Sequence, residues 1–124
     1  MEEISFIADI ERSIINNWGR PALSDYKSGP IPFSQVGERI ARLHILFEHF
    51  GINKGDHIAL FSRNCASWAI SFFATLTYGA VAVPILHEFK AQTAEHLINH
   101  SDCKLLIVGD MAWENIDAEN LKDI

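Results

Sequence analysis

Residues 58–108 carry, in order, Ile58-Ala59-Leu60-Phe61, the segment Ala66 to Tyr78, Val81-Ala82-Val83, the segment Ala91 to Asn99, and Leu105-Leu106-Ile107-Val108. The three short runs are continuously apolar and partly β-branched, the composition of strands covered on both faces. The segments between them have helical length. Ala66 to Tyr78 is apolar on most sides, and Ala94, Leu97 and Ile98 form the inward stripe of the second. The order is βαβαβ, which predicts a parallel sheet with right-handed crossovers and helices on both faces. The fold class is therefore α/β, a three-layer unit.

Working outward, Ile4, Ile7, Ile10 and Ile14 recur at helical spacing and predict a first helix over residues 4–17. Ala22-Leu23-Ser24-Asp25 and Ile31-Pro32-Phe33 flank the turn-rich Lys27-Ser28-Gly29-Pro30, so residues 22–33 read as a short β-hairpin, at an edge because of Pro30 and Pro32. Ser34 is the expected cap of the next helix, whose stripe is Val36, Ile40, Leu43, Phe47 and Phe50 and which stops at Gly51. The α/β core spans 34–108. After Gly109-Asp110, the stretch Trp113 to Ile124 begins another amphipathic pattern with no cap, so residues 109–124 are expected to be a truncated tail.

The chain has 124 residues, 48% of them hydrophobic and 21% charged, which fits one packed domain and excludes a disordered or low-complexity chain. Its formal net charge is −6, and no run of Lys or Arg exceeds one residue, which argues against nucleic-acid binding. Cys65 and Cys103 form neither a Cys-x-x-Cys motif nor a disulfide ladder and read as small buried residues in a reducing compartment. With acids at Glu2 and Glu3 where an export signal needs positive charge, the expected location is cytoplasmic. Asn64 through Leu86 lacks charge for long enough to span a membrane, yet Gly79 and the strand pattern after it divide the run into helix, turn and strand. No transmembrane span is expected.

Parallel sheets bind ligands at the carboxyl ends of their strands, which directs attention to Ser62-Arg63-Asn64, to Pro84 through His87 and to Gly109-Asp110. These loops contain neither a Gly-x-Gly-x-x-Gly nor a Gly-x4-Gly-Lys-Ser/Thr phosphate cradle. Arg63 could hold an anion, but a solvated Arg63 with Asn64 capping the next helix is the favoured reading. His96 and His100 are four apart with Cys103 behind, but no fourth zinc ligand is evident, and His87-Glu88 does not extend to His-Glu-x-x-His. Cys65 has no neighbouring base or nucleophile elbow. No residue is assigned a catalytic, cofactor-binding or metal-binding role.

From Pro32 to Val108 the order of features resembles the N-terminal part of the adenylate-forming, AMP-binding acyl-CoA synthetase family. The matching pieces are Pro32-Phe33-Ser34-Gln35-Val36, Gly51 through Leu60 with Lys54-Gly55-Asp56, Asn64 with Trp68, Tyr78-Gly79-Ala80-Val81-Ala82-Val83-Pro84, and Leu97 through Ile107. His57 stands where the family usually has Arg, and Ile85-Leu86-His87 replaces its common ending after this strand. Asn64 with Trp68 points to the medium- to long-chain fatty-acid branch. The resemblance implies a two-step reaction in which a carboxylate and Mg-ATP give an acyl-adenylate and pyrophosphate, and coenzyme A then displaces AMP.

The family's phosphate loop, adenine site, hinge and catalytic lysine match nothing in these residues. The resemblance therefore implies a structural, inactive N-terminal subdomain of a fatty-acid–CoA ligase. The parent would use ATP, Mg and coenzyme A, and this part would bind none of them. Its partner would be the rest of the parent chain, with self-association where apolar faces stay uncovered. An aryl- or amino-acid-adenylating enzyme, or a stand-alone α/β binding module, remains the alternative reading.

Overall fold

The computed structural model describes residues 2–23, 30–63, 65–114, 116–121 and 124. The elements in chain order are α1 (Glu2–Asn16), β1 (Pro21–Leu23), β2 (Ile31–Pro32), α2 (Phe33–His49), β3 (His57–Phe61), α3 (Ala66–Tyr78), β4 (Val81–Ile85), α4 (Ala91–His100), β5 (Cys103–Val108), α5 (Asp110–Trp113) and a 3-10 turn at Ala118–Asn120. Strands β1 and β2 pair antiparallel as the expected hairpin, while β4, β3 and β5 form a parallel sheet in that order. Ser24, Asp25 and the turn residues Lys27 to Gly29 lie outside the described residues.

Because side chains alternate along a strand, β3 feeds two cores. Ile58 and Leu60 join Val36, Ile40 and Phe47 of α2 and Ile70 and Ala74 of α3 on one face. Ala59 and Phe61 join Ala94 and Ile98 of α4, with Cys103 and Ile116, on the other. The three layers predicted from the apolar runs are thus present, with β3 central and its residues 58–61 at 0–1% exposure. Helix α1 contributes Ile14 beside the first core. It approaches α2 closely at Gly37, where an added Cβ would lie 3.1 Å from Ile14 and 3.2 Å from Trp18. Ile4 and Ile7, the start of the predicted stripe, lie outside the described side chains.

Gly79 ends α3 as the sequence indicated. Its φ of 93° is left-handed, its amide donates to the Leu76 carbonyl and the Ala80 amide donates to the Thr75 carbonyl. The run from Asn64 to Leu86 thereby becomes helix, turn and strand, and no described helix is long and apolar enough to cross a membrane.

Several boundaries differ from expectation. Helix α2 starts at Phe33 after Pro32, so Ser34 lies inside its first turn and makes no cap hydrogen bond. Cys65, not Asn64, occupies the cap position of α3, and Asn64 lies outside the described residues. Pro84 does not close β4, which continues to Ile85 with Leu60 opposite Pro84. The sheet described here places β4 at an edge, where the missing proline N–H costs no ladder bond.

The stretch from Trp113 does not form a continuing amphipathic helix. It folds back on α4 instead. Glu95, 7% exposed, accepts hydrogen bonds from the Asp117 amide at 2.8 Å and the Asn120 side chain at 3.3 Å. Asn99 donates to the Asn120 carbonyl at 2.8 Å, and Ile116 enters the second core.

Candidate functional site

The carboxyl ends of the parallel strands align at Phe61, Ile85 and Val108. The Gly109 amide donates to the Phe61 carbonyl at 3.0 Å and carries the β3–β5 ladder one step further. At that point the two exits come close enough that a Cβ on Gly109 would lie 2.6 Å from Ser62 Oγ. Ser62 Oγ in turn donates to the Arg63 carbonyl at 3.1 Å, an exposed local bond that ties Ser62 into the turn.

On the other side of β3, the loop after β4 turns at Leu86–Phe89 through a Phe89 amide to Leu86 carbonyl bond. Leu86 and Phe89 are exposed there, and His87 Nε2 lies 3.8 Å from Glu88 Oε1. That exposed pair contributes little to stability. The rim thus presents Ser62, Arg63, His87 and Glu88 in solvent, without a convergent acid, base and nucleophile among the described residues.

The other residues weighed as ligands separate. The rings of His96 and His100 stack at 5.9 Å on the exposed side of α4, while the buried Cys103 directs its Sγ to the Ile98 carbonyl at 3.5 Å. Among the described residues no group of three or more His, Cys, Asp or Glu side chains could hold a metal ion. Cys65 is half-buried at the start of α3 and forms no side-chain cap bond.

The densest polar arrangement among the described residues lies at the amino edge of the sheet, around Asp56. Asp56 Oδ2 accepts the Asn53 amide at 2.7 Å and meets Lys104 Nζ at 3.2 Å. The Asn53 backbone bond, with help from Lys104, holds the Asp56 carboxyl below its usual range against the opposing effect of burial. His57 Nδ1 contacts the Ser101 carbonyl at 2.6 Å, and the Gly79 carbonyl accepts the Gly55 amide at 2.9 Å. These bonds join β3, β4 and β5 at one end. They are scaffold, not reaction chemistry.

A second, half-buried feature was absent from the sequence reading. His44 Nε2 lies 3.0 Å from the Ala74 carbonyl and 2.9 Å from Thr77 Oγ1, and Thr77 donates to the Phe73 carbonyl. The carbonyl can only accept and the hydroxyl proton of Thr77 is used, so Nε2 carries the N–H, which ties α2 to α3 through these two acceptors. An apolar groove of about 400 Å³ lies under α1 between Ile10, Leu23, Phe33, Val36, Ile40 and Phe73.

The AMP-binding enzyme family profile matches residues 10–124. Crotonobetaine/carnitine–CoA ligase of Proteus mirabilis is 36% identical over 78 residues, which are 63% of this chain and 15% of that protein. Fatty acyl-CoA synthetase A of Dictyostelium discoideum is 31% identical over 91 residues, 71% of this chain and 14% of that protein. The crystal structure of the anthranilate CoA ligase AuaEII with anthranoyl-AMP superposes with a TM-score of 0.86 at 23% identity, over 95% of this chain and 23% of that one. The last likeness is one of fold. The chain spans about 15% of the length of the curated relatives it matches.

Proposed function

The chain belongs to the AMP-binding enzyme family, and from that premise we propose that it forms the N-terminal α/β unit of an ATP-dependent fatty-acid–CoA ligase. The family match over residues 10–124 carries this reading, together with the small share of each relative that the chain covers. The name of the Dictyostelium relative supports a fatty-acid substrate, and the Proteus relative acts on a different carboxylate by its name. In the parent, a carboxylate oxygen attacks the α-phosphorus of ATP, pyrophosphate leaves, and the thiol of coenzyme A then displaces AMP from the acyl-adenylate. Mg²⁺ supplies charge neutralisation on the phosphates when bound. No described residue cluster here fits that ion, and no step is assigned to it on this unit.

The role of residues 1–124 in this scheme is structural. They build the parallel sheet and its two cores and leave the adenylating groups to the rest of the parent, so the unit by itself binds neither ATP nor coenzyme A. Its partner is the remaining chain. The exposed Ile45, Leu46 and Phe50 at the end of α2 support such a covered surface, and self-association follows when they stay open. Two free cysteines support a cytoplasmic setting.

The test is to express the longest product of this gene and measure AMP release with ATP, coenzyme A and a panel of decanoate, palmitate, benzoate and carnitine. Turnover strongest on the fatty acids is the expected result. Turnover confined to benzoate or carnitine replaces the substrate, and no AMP release with any carboxylate removes the ligase reading.

A further inference from the structure

A cleft of about 260 Å³ lies between α2 and α3, lined by Arg39, Arg42 and Leu43 from one helix and Ser67, Ile70 and Ser71 from the other. The two arginines are three residues apart, so one helical face presents both guanidinium groups toward the same space. Both arginines are exposed at the rim of the cleft. The ion pairs among the described residues engage Arg12, His87 and Lys104, and neither Arg39 nor Arg42 has a carboxylate or hydrogen-bond partner there. No acidic side chain lines the cleft.

Ser71 gives a second, independent indication. It is 8% exposed, and its carbonyl is used by Thr75, but its hydroxyl makes no hydrogen bond among the described residues. No described side-chain polar atom is fully buried without a partner, so the Ser71 hydroxyl keeps some access to solvent, and Ser71 lines the cleft. A hydroxyl at the floor of a cleft whose wall carries two guanidinium groups without carboxylate partners is a donor set suited to an anion. Ser67, exposed one turn earlier on α3, adds a second hydroxyl on the same side.

We propose that this cleft binds the phosphate of a small phosphate monoester. A tetrahedral dianion offers several acceptor oxygens, enough to take forked bonds from Arg39 and Arg42 and one bond from each serine, whereas a carboxylate has too few positions to serve both walls. The half-buried Leu43 supplies apolar surface beside the anion, which favours an ester with a hydrophobic body over free phosphate. The site is on the helical layer, away from the strand ends, and stands whether or not the ligase assignment does.

The experiment is an NMR titration of the chain, reading the arginine Nε–H and serine amide resonances, with inorganic phosphate and phenyl phosphate as probes and chloride at equal ionic strength as reference. Saturable shifts confined to Arg39, Arg42, Ser67 and Ser71, tighter for phenyl phosphate, are expected. Arg42→Gln should weaken binding about tenfold or more, the loss of a charge-assisted bond. Ser71→Ala should weaken it by a smaller factor while leaving the spectrum otherwise folded. Non-saturating shifts spread over all cationic side chains, equal shifts with chloride, or unchanged affinity in Arg42→Gln would overturn the proposal.

Discussion

Gly79→Ala tests the join between α3 and the sheet. Residue 79 has φ 93°, a region that costs a residue with a Cβ about 1–2 kcal/mol. Alanine recovers about 0.4–1 kcal/mol by restricting the unfolded chain, which leaves a net loss of about 1 kcal/mol. The new Cβ would also lie 3.1 Å from Lys54 Cγ, but a lysine stem can swing aside. The cause should therefore be the backbone, and the order of stability should be Gly, then Asn, then Ala, then Val, because asparagine tolerates the left-handed region and a β-branched residue does not. For a domain of this size 1 kcal/mol shifts the melting temperature by about 3–5 °C. Urea unfolding followed by circular dichroism, with the slope m unchanged, measures the differences. The reasoning is refuted if Gly79→Ala matches the wild type, or if Lys54→Ala restores the stability of Gly79→Ala, since contact and not dihedral strain would then be at fault.

Leu60→Ala, at a position 1% exposed in the first core, should cost about 2–5 kcal/mol in the same assay, and a loss below 1 kcal/mol would contradict the burial of that face. Asp56→Asn removes a carboxylate whose folded pKa is lowered, so its contribution is present above the unfolded value of 3.8 and is lost as pH falls through the lower folded value. The stability gap between wild type and Asp56→Asn should accordingly close on acidification, and a gap constant from neutral pH to pH below 3.8 would exclude the linkage. Glu95→Ala should raise hydrogen exchange at the Asp117 amide while leaving the β3 amides protected, as read by NMR. Light scattering of the concentrated chain should show association that Phe50→Lys reduces, whereas a strictly monomeric wild type would remove the exposed end of α2 as a sticky surface.

The parts of the fold that depend on long periodic patterns could be read from residue types alone. Ile58 to Phe61, the apolar α3 and the stripe of α4 each repeat one local rule, and both cores follow from them. Boundaries set by a single group could not. Pro84 stays inside β4 because pairing with β3 continues beside it, and Cys65 takes the cap position through backbone geometry without a side-chain bond. The tail after Trp113 looked helical by pattern, but Glu95 holds its amides across 22 residues of sequence, a contact that no local spacing encodes. The Asp56–Lys104 pair and the Arg39–Arg42 cleft have the same origin. Runs of charge along the chain are absent, and helical spacing and chain return assemble the cations instead.

Carboxylate-dependent exchange of radiolabelled pyrophosphate into ATP, measured on residues 1–124 and on the longest product of the gene, bears most directly on the proposal that this unit is scaffold for chemistry performed elsewhere. The account predicts no exchange above background for the unit and fatty-acid-dependent exchange for the longer protein. Exchange catalysed by residues 1–124 alone would contradict it.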